Sequence, residues 1–425
     1  MRGLVFFFLL LTSSLSWAEP LSLQEAVLTA LANHPDLRIA DSSVEAQQAR
    51  LRSSTANWYP GFSATAGVRR SGASGQVGGQ NIIRSGEQTS YSYGFAARQQ
   101  LTDFGQTHHR VRAAELELLA ARADLADSAQ SLTLRVVESY YQALREAQSV
   151  EINEANLENA RVQLEQAQGF LEAGTRAKIE VTRAEADLAN ARVGLIQARN
   201  AHQKALVALG GAMGLPGPPD RELVNQSLPN PDWQRAVVDR ALAERPDLVA
   251  ADARVMAGRS SVSAASAEYR PVLATSGGYN WNDDRFPPNQ TSWNLGLTLE
   301  VPILNEPTLS AAVQLAEASL EAAKGRRDSL ELQIRQQVAE GQLNLEESRQ
   351  RSEAAESARL AAEESFRLAS ERYRVGVGSS IEVSQAQRAL VEARAQEVQA
   401  RFDVQLALGR LYRAVGLLAP ELLQQ

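Results

Sequence analysis

The sequence is written twice. His34-Pro35-Asp36-Leu37 in the first half answers Arg245-Pro246-Asp247-Leu248 in the second, and Tyr59-Pro60 answers Arg270-Pro271, both at an offset of 211 residues. Further along, the offset is 202. There Gly174, Ile179, Glu180 and Val181 answer Gly376, Ile381, Glu382 and Val383, and Gly214-Leu215 answers Gly416-Leu417. The nine-residue change falls between Pro60 and about Leu101, where the first half carries the Gly/Ser/Gln-rich stretch Ser71 to Ser90. Two offsets held over such distances indicate duplication. The fold must therefore contain two near-equal units, 19–215 and 232–417, joined by a connector at 216–231 and followed by a tail at 418–425.

Each unit opens with a short amphipathic helix, about Leu23 to Asn33 and Trp233 to Glu244. A proline follows, then a helix of some twenty residues, Asp36 to Asn57 and Asp247 to Glu268. Pro60 and Pro271 stop helix and begin extended chain. Strands are expected at about 62–70 and 90–101, and again at 272–281 and 292–301. In the first of these, Phe62, Ala64, Ala66 and Val68 share one face, and Ser63, Thr65, Gly67 and Arg69 the other. In the last, Trp293, Leu295, Leu297, Leu299 and Val301 oppose Asn294, Gly296, Thr298 and Glu300. This period-two alternation, with aromatics at the edge of the apolar face, suits a wall between lipid and water.

Proline-free helix is expected next over 106–171 and 308–373. Sixty-six residues at ~1.5 Å each span roughly 100 Å, several times the usual helix of a compact domain. Such a length demands coiled-coil packing. Val111, Leu118, Leu125 and Leu132 recur every seven residues, with the small Ala114, Ala121 and Ser128 between them. Val313, Leu320 and Ile334 continue the pattern in the second unit, where Arg327 interrupts it. A Gly-containing turn (172–178, 374–380) leads to return helices at 179–213 and 381–415. A return helix plus the twenty-residue helix nearly matches the long one, so the two shorter helices stacked end to end can run beside it.

Composition narrows the function. The 425 residues carry a net charge of −7 with no concentrated basic patch, which argues against nucleic acid as a partner. The absence of cysteine excludes disulfides, thiol catalysis, thiolate-bound zinc and lipidation through an N-terminal Cys. His108 and His109 are adjacent on a helix and point about 100° apart, so they do not share a ligand, and no metal or other cofactor is expected. No nucleophile–base pair, phosphate loop or HExxH pattern occurs, and no enzyme is expected. Arg2, the apolar run Leu4 to Leu11 and the closing Ser16-Trp17-Ala18 read as a secretory signal, 1–18, cut after Ala18. No other segment approaches a membrane-spanning helix, so membrane crossing falls to the strands. Four strands cannot close a barrel alone, since the smallest membrane barrels use about eight, and copies of the chain must share one.

This arrangement resembles the TolC-like outer-membrane efflux protein family, in a non-lipidated form. The likeness rests on the Pro-Asp-Leu segments, Trp58-Tyr59-Pro60 with Tyr269-Arg270-Pro271, Val301-Pro302-Ile303-Leu304, and above all Glu371-Arg372-Tyr373-Arg374-Val375-Gly376 followed by Ile381-Glu382-Val383. The resemblance implies a mainly α fold with a small transmembrane β part: a homotrimer with a twelve-stranded barrel in outer-membrane lipid, four strands per chain, continuous with a periplasmic helical coiled-coil barrel. It implies passive export in a tripartite efflux or type I secretion system, with a periplasmic adaptor (membrane fusion protein) and an inner-membrane transporter of the RND, MFS or ABC class as partners. The turns at Gly174-Thr175 and Gly376-Val377-Gly378 correspond to tips that meet the adaptor. Glu382 matches the first of two pore acids, Gln385 occupies the second place without charge, Tyr373 matches a gate tyrosine, and Gly378 stands where a gate arginine is often found. The competing reading is a periplasmic coiled-coil adaptor or structural protein, which would carry one hairpin and more strand.

Overall fold

The computed structural model describes residues 20–73, 86–230, 237–303 and 306–419. The expected signal at 1–18, the start of the Trp233 helix, Leu304 and the last six residues lie outside the described residues.

The chain forms α1 (Leu23–Asn33), α2 (Pro35–Ala56), β1 (Gly61–Ala73), β2 (Gly86–Thr102), α3 (Gln106–Glu172) and α4 (Lys178–Ala212). The order then repeats as α5 (Val237–Glu244), α6 (Pro246–Ala267), β3 (Val272–Asp283), β4 (Gln290–Glu300), α7 (Glu306–Arg374) and α8 (Ser380–Val415). Strand bounds depart from expectation by a few residues, with β3 running to Asp283 and β4 starting at Gln290. β1 and β2 run further into the polar stretch, to Ala73 and from Gly86, because the antiparallel ladder continues through residues with no apolar alternation to betray it. β4 ends at Glu300, and Val301 precedes Pro302, which cannot donate to a ladder. Pro35 and Pro246, read as breaks, are the first residues of α2 and α6, a position that needs no N–H donor.

Two compact units are present. One comprises Ile39–Ala126 and Pro246–Leu332. Its sheet is antiparallel in the order β1-β2-β3-β4, so β1 and β4 are the edges. Phe62 is 80% exposed, Trp293 75% and Leu295 77%, all on one face. Tyr93, Tyr279 and Trp281 cluster on the same face, with the Tyr93 and Trp281 rings stacked at 4.9 Å. In the helical part of this unit, Ala120 and Ala123 of α3 bury against Ala250 and Ala253 of α6. Their small side chains let the helices pack closely, and Arg254 pairs with Asp124 across the joint. Arg327, the break in the heptad, pairs with Asp252 of α6 at 3.1 Å and with Glu331.

The other unit comprises Met1–Arg38, Asp127–Arg245 and Gln333–Gln425. Its core gathers Leu23, Val27, Leu132, Val136, Tyr140, Tyr141, Leu209 and Phe402. Tyr140 donates its single hydroxyl proton between the carbonyls of Leu21 and Val224, both at 2.7 Å. Tyr141 donates to Gln226 O and Tyr412 to Pro229 O. These tyrosines fasten the connector, which also makes a parallel bridge from Leu223 to Leu21.

The repeated Gly-Leu and Pro-Asp-Leu motifs meet here. Gly214 (φ +73°) follows α4, and a Cβ on it would lie 3.0 Å from His34 Cα. Gly416 (φ +84°) follows α8, and its Cβ would lie 3.0 Å from Arg245 Cα. Each return helix thus ends against the residue that precedes the proline opening the twenty-residue helix of its own repeat. The Gly416 carbonyl accepts from Gln130, and Arg245 donates to Ala414 O and Gln337. Gly416→Ala forces both a left-handed alanine and a backbone clash, and should cost about 1–3 kcal/mol. Thermal loss of helical circular dichroism should come at lower temperature; an unchanged midpoint would contradict the packing described.

Candidate functional site

Two places concentrate polar chemistry. The first is the pair of helical turns in the unit that contains Asp127–Arg245 and Gln333–Gln425. After α3, Gly174 takes φ +70° and donates to Leu171 O, while Thr175 N donates to Phe170 O. After α7, Gly376 takes φ +85° and donates to Tyr373 O, and Val377 N and Gly378 N both donate to Arg372 O. Left-handed glycines close both helices. Gly378 is required for a further reason: a Cβ there would meet Tyr373 N at 2.9 Å and Arg372 C at 3.0 Å. Any side chain at 378 would force this turn to shift.

An arginine is supplied from the other turn. Arg176 lies 202 residues before Gly378, at the matching position of the first repeat. Its guanidinium donates to Gly378 O at 2.9 Å and to Gly376 O at 3.3 Å, and sits 5.3 Å from the centre of the Tyr373 ring. Its other nitrogen is 3.4 Å from Glu180. Tyr373, 3% exposed, donates its hydroxyl to Glu180 Oε2 at 3.0 Å and stands T-shaped to the Phe170 ring at 5.5 Å. Burial, reinforced by the Glu180 carboxylate and opposed by Arg176, pushes the phenol up to about 12. Below it, Ser384 donates to Asp187 at 2.9 Å, and Gln387 bonds Asn156 and Gln163. Glu180, Arg183, Asp187, Tyr373 and Ser380 line a cavity of about 20 Å³, room for one water.

Of the residues singled out from sequence, the structure brings Tyr373, Gly376 and Gly378 into this cluster and leaves others facing solvent. Glu382 is exposed in the first turn of α8, where Ser379 caps its N–H, and is 3.9 Å from Arg372. Gln385 is exposed one turn on. Thr175 and Val377 are exposed, Val377 to 71%. Arg176 and the tyrosine-binding role of Glu180 were not foreseen; the 202-residue offset was the signal that could have found the arginine.

The second place is the polar face of the sheet. Its registers set Ser63, Ala96, Gly278 and Asn294 in one row, Thr65, Gly94, Asn280 and Ser292 in the next, and Gly67, Ser92, Asn282 and Gln290 in a third. The Asn294 amide lies over Gly278, where a Cβ would approach Oδ1 to 2.8 Å, and Asn280 lies in the same way over Gly94. The face is thus carpeted with flat amides and hydroxyls. Among the described residues no helix is long and apolar enough to cross a membrane, and no group of His, Cys, Asp and Glu could hold a metal.

A family model described as "Outer membrane efflux protein" matches residues 27–215 and 237–417. The chain is 26% identical to the pyoverdine export outer membrane protein OpmQ of Pseudomonas putida, over 94% of this chain and 87% of that protein. It is 24% identical to the outer membrane protein TolC of Vibrio cholerae, over 96% and 93%. The crystal structure of the outer membrane protein VceC from Vibrio cholerae superimposes with a TM-score of 0.79, covering 93% of this chain and 96% of that one at 21% identity. A structure of CusC gives 0.81, with 93% and 92% covered at 22% identity.

The raised phenol of Tyr373 fixes the sign of a pH effect. A group whose folded pKa exceeds its ordinary value of about 10 contributes fully below pH 10 and is lost as pH rises through about 12. Spin labels at Thr175→Cys and Val377→Cys, in a chain with no native cysteine, should give a narrow distance distribution to pH 10 that broadens toward 12. Tyr373→Phe, which removes a bond to a carboxylate worth about 1.5–3 kcal/mol, should broaden it already at pH 7. A distribution as narrow in Tyr373→Phe as in the wild type would contradict the link.

Proposed function

The chain belongs to the outer membrane efflux protein family, and from that premise we propose that three copies form the outer-membrane exit duct of a tripartite efflux or type I secretion system. The observation that carries the assembly is the two-faced, four-stranded sheet with β1 and β4 each paired on one side only. Lipid offers no hydrogen bonds to such edges, so β1 of one copy meets β4 of the next until the barrel closes. The polar face then lines a water-filled passage, and the apolar face meets outer-membrane lipid. Exposed Phe62, Trp293, Leu295 and Leu297 on one face would be a liability in water, which weighs against a soluble periplasmic adaptor.

In this reading the chain is exported by a signal cut after Ala18 and stands largely in the periplasm. The turns at Gly174-Thr175 and Gly376-Val377-Gly378 face a periplasmic adaptor, and an RND, MFS or ABC transporter in the inner membrane supplies the energy. The duct itself is passive. Arg176, Glu180 and Tyr373 hold the two turns of one chain together, while Glu382 of each copy faces the passage. With Gln385 uncharged, that ring carries one acid per chain. Its exposed pair with Arg372 at 3.9 Å is weak, worth under about 1 kcal/mol, and Arg372 offsets part of that charge.

Purified protein should run as a detergent-resistant trimer and give discrete conductance steps in a planar bilayer. Glu382→Gln should lower the preference for cations. Recovery only as a soluble periplasmic species, or no conductance at all, would overturn the duct; an unchanged ion preference would remove Glu382 from the passage and leave the duct standing.

A further inference from the structure

The polar face of the sheet also carries two arginines, Arg69 and Arg98. Arg98 shares a row with Gly61, Ser276 and Gly296, and Arg69 pairs with Ser90. Both point to the same side as the amide and hydroxyl rows, and all three rows between them are free of ionisable groups. Both side chains are exposed, and neither makes a hydrogen bond or ion pair among the described residues. Glu300 is the acid on this face. It lies four residues along β3 from the Arg98 row and two strands away, too far to neutralise Arg98 within the chain.

Resting on the reading of this sheet as a barrel wall, we infer that Arg69 and Arg98 form two anion-attracting rings in the barrel lumen, and that the duct favours solutes of net negative charge. Arg69 is eight residues along β1 from Gly61, the partner of Arg98, which is roughly 27 Å at ~3.4 Å per residue. At physiological salt the screening length is about 8 Å, so the rings act as separate stations. Between them the amides of Asn280 and Asn294, laid flat on Gly94 and Gly278, offer hydrogen bonds and no charge. An anion drawn in at one ring therefore crosses a neutral floor with nothing to trap it before the next. Among the described residues, two arginines against one glutamate leave this face net positive, although the whole chain is net negative at −7. The sign at the barrel is thus opposite to that of Glu382 at the turns.

Reversal potentials under a potassium chloride gradient test the assignment. They are measured for wild type and the Arg69→Gln/Arg98→Gln double variant, each with and without Glu382→Gln so that the acid cannot mask the effect. Near 10 mM salt, where screening reaches about 30 Å, the double variant should show an anion-to-cation permeability ratio at least about twofold lower than its parent. Near 1 M, where screening falls to about 3 Å, the difference should vanish. Arg69→Lys/Arg98→Lys keeps the charge and should keep the ratio, which separates charge from any loss of shape. Double-variant channels with an unchanged ratio at low salt would overturn this inference alone. A wild-type protein that forms no channel would overturn the duct and the rings with it.

Discussion

Backbone hydrogen bonding at the two free edges of the sheet governs everything else. β1 and β4 each present a row of N–H and C=O groups with no strand partner among the described residues. In water those edges could be solvated. In hydrocarbon each unsatisfied group costs several kcal/mol, so an isolated chain could not keep its sheet in lipid. The apolar face, with Phe62, Trp293 and Leu295 fully presented, makes water an equally poor choice. Both penalties disappear together when copies join edge to edge.

In the proposed assembly the duplication supplies the parts, and its departures from symmetry supply the chemistry. Gly214 against His34 and Gly416 against Arg245 are one joint made twice, with the same left-handed glycine seated on the backbone before a proline. The turns have diverged. Position 176 is arginine where its mate 378 is glycine, and position 171 is leucine where its mate 373 is tyrosine. One turn thus donates the guanidinium and the carboxylate, and the other offers bare carbonyls and a phenol. Two identical turns could not form this lock, because two arginines would face each other across it.

Much of the fold was legible in the sequence. Mainly helical architecture, four alternating strands and the duplication followed from spacing, because helix and strand periodicities leave different marks. The outer ends of β1 and β2 were not legible, since Ser71, Gly72 and Gln88 sit in a ladder held by backbone bonds that leave no side-chain pattern. Arg327 was visible as a break in a heptad, but its partner Asp252 is 75 residues away and needed the packing of α6 to be found. The cluster around Tyr373 was half visible. The tyrosine stood in a motif, whereas Arg176 acquires meaning only once the two turns are known to touch.

Closing the barrel requires β1 of one copy to pair with β4 of another. The chain has no cysteine, so engineered pairs report without background. Thr65→Cys on β1 can be combined in turn with single cysteines along β4 from Trp293 to Leu299 and oxidised in intact outer membranes. Edge pairing predicts that at least one combination yields covalent dimers and trimers on a non-reducing gel, with the trimer as the largest product. Monomers at every position, or a ladder running beyond three, would contradict it.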